Sequence, residues 1–234
     1  YIHPFSISMS YLCIMRVCTA SILLCLLSLS GFGQISLGNP SFESKPGNAA
    51  IPDKWVTCVP GSTPDILPGV WGVNKAPQDG MSYLGLITRE NGSKESIGQR
   101  LSKPLEANTC YTFSVYLARS ETYVGYNLPL RLKIWGSKEY CGKDQLLVST
   151  KAIKHTNWEQ YEFQIYTKAK VHFLLLEACL APGVTIPYRG NILIDELSPI
   201  KPCFKAENNH IQQADFFGWA TSIFSYLIDW VAGN

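Results

Sequence analysis

The chain has 234 residues, of which 46% are apolar and 16% are charged, and its formal net charge is +2. This length allows one sizeable hydrophobic core, so we expect a single main domain. The nearly balanced charge gives no electrostatic reason to expect nucleic acid or an anionic membrane as a partner. The aromatic content of 12%, in a chain punctuated by Pro and Gly, favours an all-β extracellular protein.

Residues 1–33 are predicted to be a signal peptide preceded by some upstream residues. A positive start at Met15-Arg16 precedes a thirteen-residue apolar stretch, which is short for a membrane span. Small residues then fit a signal peptidase site before Gln34, and an uncleaved anchor is the alternative. We therefore expect an exported protein, either secreted or held at the cell surface or outer envelope.

Seven stretches from residue 82 onward alternate apolar and polar side chains with a period of two, which is typical of half-buried β-strands. They are residues 82–88, 95–101, 110–118, 128–135, 158–167, 171–178 and 191–198. Asn91-Gly92 lies between the first two stretches and predicts a hairpin turn. The loop-rich residues 36–80 should wrap around these strands.

The alternation predicts an antiparallel β-sandwich jelly roll over residues 34–203, with one face of each strand packed and the other toward solvent. The side chains expected inside are Phe113, Val115, Leu132, Ile134, Phe163, Ile165 and Ile194. Nothing repeats at a fixed period, so the sequence does not indicate a solenoid or a propeller.

Five cysteines follow the predicted cleavage point, and in an oxidising compartment an odd number leaves at least one free. The sequence leaves fifteen two-bridge pairings open. Cys58, Cys141 and Cys203 lie in predicted loops or at element ends and are expected to pair. Cys110 and Cys179 lie in predicted strands, where a buried thiol is the alternative.

Residues 204–234 differ from the rest, because a polar linker is followed by an aromatic-rich stretch with helical periodicity. We expect a terminal helix or the start of a further segment, and an interfacial membrane helix is the alternative. Any membrane contact is expected only through this stretch. A linker near the end of the sequence would also suit one part of a larger multidomain chain.

Four short motifs carry a family resemblance. They are NPSFE at 39–43, Trp55, QDGMSYLGL at 78–86 and NILIDELSPI at 191–200. Together they resemble the galactose-binding-like jelly rolls of carbohydrate-binding modules, in the versions found in secreted and surface proteins of Bacteroidetes-type bacteria. The resemblance covers about residues 36–200. It implies a non-catalytic domain that binds a polysaccharide or cell-surface glycan.

The resemblance also implies a structural calcium ion. In that fold the first and last strands are neighbours, so Glu43 and Asp195 should approach each other and clamp Ca²⁺. Carbonyl groups near Asp79 would complete an oxygen shell. The chain has Glu196 where the family pattern has a second Asp. The alternative is that Glu43 caps a turn and Asp195 is solvated at a strand end.

Polar strand faces provide candidate glycan-binding residues, because sugars stack on aromatic rings while charged and amide groups bind their hydroxyls. The candidates are Tyr116, Arg131, Lys133, Trp135, Glu162, Gln164 and Tyr166, with Trp71 as a loop-tip candidate. In a family of this kind the glycan lies on the sheet face or at loop tips. The alternative is that these aromatic residues form ordinary cross-strand pairs.

The sequence argues against an enzyme. It contains neither the Gly-x-Ser-x-Gly nor the His-Glu-x-x-His motif, and His155 and His172 stand alone. A glycosidase that draws its carboxylates from distant segments is a less favoured reading. The competing non-enzymatic reading is a structural or adhesion domain of a larger envelope protein without a glycan ligand.

Overall fold

The structure, a computed structural model, describes residues 34–203. The predicted signal peptide and the predicted C-terminal linker and helix lie outside the described residues. Twelve strands belong to one compact unit. They are β1 (Val56–Thr57), β2 (Asp65–Leu67), β3 (Tyr83–Thr88), β4 (Ser96–Leu105), β5 (Thr109–Ala118), β6 (Leu128–Pro129), β7 (Arg131–Ser137), β8 (Gln145–Ser149), β9 (Glu159–Thr167), β10 (Val171–Cys179), β11 (Gly190–Asp195) and β12 (Lys201–Pro202).

The strands form two sheets. The five-stranded sheet has the order β1-β4-β10-β7-β8, and the seven-stranded sheet has the path β12-β5-β11-β3-β2, with β9 paired to β5 and β6 paired to β11. Every pair is antiparallel except β6 with β11. This confirms the prediction of an all-β protein with two antiparallel sheets. Within residues 34–203, no helix is long and apolar enough to cross a membrane.

The main core lies between the two sheets. Alternate residues of β7 and β10, such as Leu132 and Leu176, pack in one cluster with Val115 of β5 and Ile194 of β11. Six of the seven side chains predicted inside are buried, and Phe163 is partly buried against the same cluster. Each fully buried aliphatic side chain contributes about 1.5–3 kcal/mol to folding. The period of two therefore predicted the core face of these strands correctly.

The turn at Asn91-Gly92 forms, and its two arms pair next to the turn through an antiparallel bridge between Thr88 and Lys94, but the predicted hairpin does not continue along the strands. Arg89 N–H donates to the Ser93 carbonyl at 2.9 Å, and Gly92 has a φ of 82°. The strands on either side then diverge, because β3 pairs with β2 and β11 while β4 pairs with β1 and β10. The turn is a corner between the two sheets. Every residue of β3 is buried, so its own pattern did not show which sheet it joins.

Loops cover only half of the outer face of the seven-stranded sheet. A second apolar cluster joins Tyr83 and Leu193 of β3 and β11 to Val73 and Tyr123 in the loops that follow β2 and β5. The other half, formed by β5 and β9, carries outward side chains that are mostly exposed or half-buried. This uncovered half is where an extended ligand has access to the sheet.

A disulfide lies against the outer face of the five-stranded sheet. Cys58, just after β1, is bonded to Cys141, in the loop between β7 and β8. A Cβ atom at Gly98 of β4 would lie 2.7 Å from the Cys58 Sγ, so only glycine fits beneath the bridge. Cys179 is buried and free, whereas Cys110 and Cys203 are each disulfide-bonded. The expected pairing of the loop cysteines is confirmed for Cys58 and Cys141.

The first and last segments of the described domain meet in one antiparallel bridge. Ile35 N–H donates to the Ile200 carbonyl at 2.9 Å, and Ile200 N–H donates back to the Ile35 carbonyl at 2.8 Å. Both side chains are buried in the main core. The first and last segments of the described domain are therefore hydrogen-bonded to each other.

Candidate functional site

The uncovered half of the seven-stranded sheet contains an open groove of about 600 Å³, which we call the β5–β9 groove. Its polar lining consists of Thr112, Ser114, Glu162, Gln164, Ser198 and Lys201. The antiparallel register places Ser114 opposite Glu162 and Thr112 opposite Gln164. Because directly opposed residues share a face of the sheet, these four side chains form a two-by-two polar array.

The groove combines fixed hydrogen bonds with free polar groups. Ser114 N–H donates to the Ser198 hydroxyl at 2.8 Å, while Ser198 N–H donates to the Ser114 carbonyl at 2.9 Å. These two bonds hold one wall in place. Among residues 34–203, the side chains of Glu162 and Lys201 make no hydrogen bond or ion pair, so both groups are available to a ligand.

A tyrosine lies toward each end of the same face. Tyr166 of β9 is 60% exposed and opposes Cys110, while Tyr116 of β5 is half-buried and opposes Gln160. Six residues of antiparallel strand separate these two positions, which corresponds to about 20 Å. The face is therefore a long polar strip with an aromatic ring near either end, and the ring of Tyr166 is the accessible one.

Arg131, Lys133 and Trp135 do not belong to this face. They lie on β7 of the five-stranded sheet, and they alternate with the core residues Leu132 and Ile134. The prediction of one continuous surface with Tyr116, Glu162, Gln164 and Tyr166 is therefore wrong. A period of two shows which side of its own strand a residue occupies, but it does not show which sheet the strand joins.

Trp135 is held in place by charged neighbours. Its indole N–H donates to Glu177 at 2.9 Å, and the ammonium groups of Lys133 and Lys143 lie 5.4 and 6.0 Å from its ring centroid. These are cation–π distances. The lysines occupy the space next to the ring, so the Trp135 ring is not open for a sugar to stack on.

Glu177 is the buried anion of this second surface. Its side chain is 1% exposed, and it accepts hydrogen bonds from Lys143 at 2.6 Å and Trp135 while Lys94 lies 3.0 Å away. Burial alone would raise the pKa of Glu177, but these donors outweigh it and hold the pKa at about 2. The carboxylate is therefore ionised at neutral pH and anchors two lysines.

Trp71 lies in the loop that covers the other half of the seven-stranded sheet. It is 41% exposed, its φ is 52°, and its indole N–H donates to the Asn48 side chain at 3.0 Å. The hydrogen bond fixes the ring, and the exposed part remains accessible. Trp71 is absent from the lining of the β5–β9 groove, so it belongs to a separate loop surface.

Glu43, Asp79 and Asp195 meet around the loop that precedes β3. Glu43 accepts hydrogen bonds from the backbone of Met81 and Ser82, at 3.0 and 3.2 Å. Asp195 accepts from the backbone of Asp79 at 3.1 Å, and the Ser41 hydroxyl bridges Asp79 and Asp195 at 2.8 and 3.0 Å. Burial raises the pKa of Asp195 to about 6, against the effect of these donors.

This donor set does not fit the expected calcium shell. Asp195 also accepts from the backbone N–H groups of Gln78 and Glu196, so four donors occupy its carboxylate lone pairs. Calcium binds six to eight oxygen atoms, whereas this loop offers N–H groups to the carboxylates. Within residues 34–203, no group of three His, Cys, Asp or Glu side chains is arranged to hold a metal ion. Calcium stays a prediction, and no function is derived through it.

Sequence reasoning missed part of the groove. Thr112 and Ser114 follow from the alternation of β5, whereas Ser198 and Lys201 reach the groove because β12 pairs with the first half of β5. A two-residue strand that contains a proline carries no periodic signal. Only the three-dimensional pairing places Lys201 and Gln164 in the same groove, on either side of Thr112.

No family model matches the sequence, and no curated protein matches it either. Similar solved structures include the xylan-binding CBM22-1 domain of Xyn10C from Paenibacillus barcinonensis, with a TM-score of 0.47, 17% identity and coverage of 76% of this chain and 99% of that chain. The K1 adhesin domain of Lys-gingipain from Porphyromonas gingivalis has a TM-score of 0.45 and 14% identity, and the match covers 74% of this chain and 100% of that chain. TmCBM61 in complex with β-1,4-galactotriose has a TM-score of 0.41 and 13% identity, and the match covers 73% of this chain and 100% of that chain. These likenesses assign no ligand to this chain.

Proposed function

We propose that residues 34–203 form a non-catalytic carbohydrate-binding module of the jelly-roll type, which holds a polysaccharide chain in the β5–β9 groove. One observation carries the proposal. The groove is open and presents the unpartnered side chains of Glu162 and Lys201, and the exposed ring of Tyr166 lies just outside its lining, two residues beyond Gln164 on the same face of β9. Polar groups that bind hydroxyls, next to an aromatic ring, are the chemistry that recognises sugars.

Each group has a separate task in this proposal. Glu162 accepts hydrogen bonds from sugar hydroxyls, Lys201 donates to them, and the Gln164 amide can do both. Tyr166 offers its ring to the apolar C–H face of a sugar and its hydroxyl to solvent. The serine pair Ser114 and Ser198 holds the wall in its ligand-free geometry, so binding requires little rearrangement.

The groove supports binding rather than hydrolysis. A glycosidase uses two carboxyl groups about 5–9.5 Å apart on either side of the scissile bond. Among the described residues, the lining of the β5–β9 groove includes one carboxylate, Glu162. A single exposed carboxylate can accept hydrogen bonds from a sugar, but it does not supply the acid and base pair.

The disulfides support a proposal for location. Cys58 and Cys141 form a bridge, and Cys110 and Cys203 are also disulfide-bonded. Structural disulfides persist in oxidising compartments and are rare in the cytosol. We therefore place this module outside the cytosol, secreted or at the bacterial surface, where polysaccharide is the accessible partner. We also propose that this module is one domain of a larger multidomain protein.

Affinity electrophoresis and calorimetry with soluble xylan and β-1,4-galactan test the function. We expect binding in the micromolar to millimolar range to at least one neutral polysaccharide. Tyr166→Ala should weaken that binding by about fivefold to tenfold, since a stacked ring contributes about 1 kcal/mol. Glu162→Gln should weaken it by a similar factor, because a charge-assisted hydrogen bond becomes a neutral one.

Tyr140→Ala is the matched control, because Tyr140 is another exposed tyrosine but packs against Phe173 of the five-stranded sheet. It should leave the affinity unchanged. Binding that falls equally in all three variants would contradict the groove assignment. Absence of binding to every neutral polysaccharide, by folded protein, would favour the structural or adhesion domain instead.

A further inference from the structure

A second cavity lies on the opposite side of the sandwich from the β5–β9 groove. It has a volume of about 270 Å³ and lies on the outer face of β7 and β10, between the turn at 89–94 and the loop at 180–187. This volume is slightly below the roughly 300 Å³ at which small-molecule sites begin. The cavity therefore suits one sugar unit or substituent rather than a chain that lies along the sheet.

The charged side chains in its lining are all cations. These residues are Arg89, Lys94, Arg131 and Lys133, and we call the cavity the cationic cleft. The nearby carboxylates are buried and stand behind the lining: Glu95 pairs with Arg89 at 2.7 Å, and Glu177 pairs with Lys94 at 3.0 Å. Neither carboxylate lines the cleft, so the surface that a ligand meets is positive.

Arg131 and Lys133 lie next to each other in the lining of the cleft, and Lys133 also contacts the Trp135 ring and faces Glu177 across the strand pair. The two cations lie two residues apart on β7, so both point outward, and within residues 34–203 neither takes part in an ion pair. The Arg131 Nε is buried and makes no hydrogen bond with any described residue. Among residues 34–203, its guanidinium donates a hydrogen bond only to the Ser149 hydroxyl, at the long distance of 3.4 Å. The Nε has almost no solvent-accessible surface, so an oxyanion in the cleft would bind the guanidinium through its terminal N–H groups.

One wall of the cleft is apolar. Leu180, Ala181, Val184 and Pro187 line it, opposite the cationic floor. A free inorganic ion gains nothing from such a wall, whereas the C–H face of a sugar ring does. The combination of an apolar wall and two cations that have no ion-pair partner among residues 34–203 indicates a ligand that carries an anionic group on a partly apolar ring.

We propose that the cationic cleft binds an acidic sugar, a unit that carries a carboxylate or a sulfate, with Arg131 and Lys133 as the anion ligands. The choice of a sugar as the carrier of the charge rests on the proposed function. The site itself is separate from the β5–β9 groove, because it lies on the other sheet and uses other residues. The domain then has one surface for a neutral chain and another for an acidic substituent.

Calorimetry on the full chain tests this with four probes: tetragalacturonate, its fully methyl-esterified form, a sulfated carrageenan tetrasaccharide and sodium sulfate. The methyl ester removes the charge and keeps the sugar backbone. We expect at least one acidic oligosaccharide to bind at least tenfold tighter than the ester at low salt. The affinity should fall severalfold between 50 and about 500 mM NaCl, because salt screens exposed charges.

The variant Arg131→Gln with Lys133→Gln should weaken binding of the acidic probe at least tenfold, and an unchanged melting temperature confirms that it is folded. Lys201→Gln, which removes a free cation from the β5–β9 groove, is the matched control and should change this affinity less than twofold. Equal affinity for the acidic probes and the ester would overturn the inference. Sodium sulfate that binds as tightly as the oligosaccharides would overturn the sugar assignment.

The two proposals fail separately. If no neutral polysaccharide binds but acidic oligosaccharides bind and lose affinity in the Arg131/Lys133 variant, the cationic cleft stands without the proposed groove. If acidic binding is lost in Tyr166→Ala and unchanged in the Arg131/Lys133 variant, the acid binds in the β5–β9 groove and the cleft is refuted.

Discussion

Glu177 shows how one buried carboxylate can organise a surface. It lies on β10, takes a hydrogen bond from Trp135 on β7 and pairs with Lys94 and Lys143 from two separate loops. These four groups come from parts of the chain that are far apart in sequence. Removing one partner from a buried ion pair leaves the others uncompensated, which costs more than the pair contributes when intact.

Glu177→Gln should lower the free energy of unfolding by about 2 kcal/mol at pH 7, less than for a fully buried pair because the lysines are partly exposed. The pKa of Glu177 is about 2 in the folded state, below its ordinary value of 4.5. Its contribution is therefore present above pH 4.5 and is lost as the pH falls toward 2. Chemical denaturation of both proteins at several pH values measures this difference.

Glu106→Gln is the control, because Glu106 pairs with Lys170 at 3.0 Å on the exposed surface. It should change the stability by less than about 0.5 kcal/mol. A gap between wild type and Glu177→Gln that stays constant from pH 7 to pH 3 would contradict the assignment of the low pKa to this ion-pair network.

At the scale of the elements, the disulfide packs directly against the backbone of β4. The bridge from Cys58 to Cys141 spans 83 residues of sequence and lies against Gly98. A cross-link across a long loop restricts the unfolded chain and typically contributes about 2–4 kcal/mol. The same bridge leaves no room for a side chain on the strand below it.

Gly98→Ala should therefore destabilise the protein by about 1–3 kcal/mol, because its Cβ would lie 2.7 Å from the Cys58 Sγ. In a background that carries Cys58→Ala and Cys141→Ala, the same change should cost at least about 1 kcal/mol less, since the sulfur is gone. Equilibrium unfolding of the four proteins measures this coupling. Gly47→Ala is the control, since its nearest neighbour would be 3.4 Å away, and strictly additive effects would contradict the contact.

The sequence predicted the elements better than it predicted their partners. Alternation in β5, β7 and β9 identified strands and core faces, since that signal is contained within each strand. It did not show that Trp135 and Tyr166 lie on different sheets, because strand pairing depends on contacts between distant residues. The two carboxylates Glu43 and Asp195 were expected around a cation, yet the loop between Gln78 and Ser82 meets them with backbone N–H groups.

At the scale of the whole molecule, most neighbouring strands are far apart in the chain. β4 pairs with β10, β5 pairs with β11, and β6 lies beside β11. Folding must close these long loops before the pairings stabilise anything, so such topologies fold slowly for their size. The closed sandwich then buries the inner faces of both sheets, while the uncovered part of each outer face remains available for ligands.

Refolding of the disulfide-intact protein should have a main phase of milliseconds to seconds, as expected for a sandwich of non-local strand pairs. Stopped-flow tryptophan fluorescence after dilution from denaturant measures it, with Trp55 in the core as a reporter. A small helical bundle measured under the same conditions provides the comparison and should refold faster. A main phase in the microsecond range would contradict this reading of the topology.

The bridge between Ile35 and Ile200 has a mechanical consequence. Because the two segments are antiparallel, the chain enters at residue 34 and leaves at residue 202 on the same side of the bridge. A pulling force applied through these two points would peel the hydrogen bonds apart one at a time instead of shearing them together. The domain should therefore yield first at this seam under tension, and the force should next reach β12, whose Lys201 lies in the wall of the β5–β9 groove.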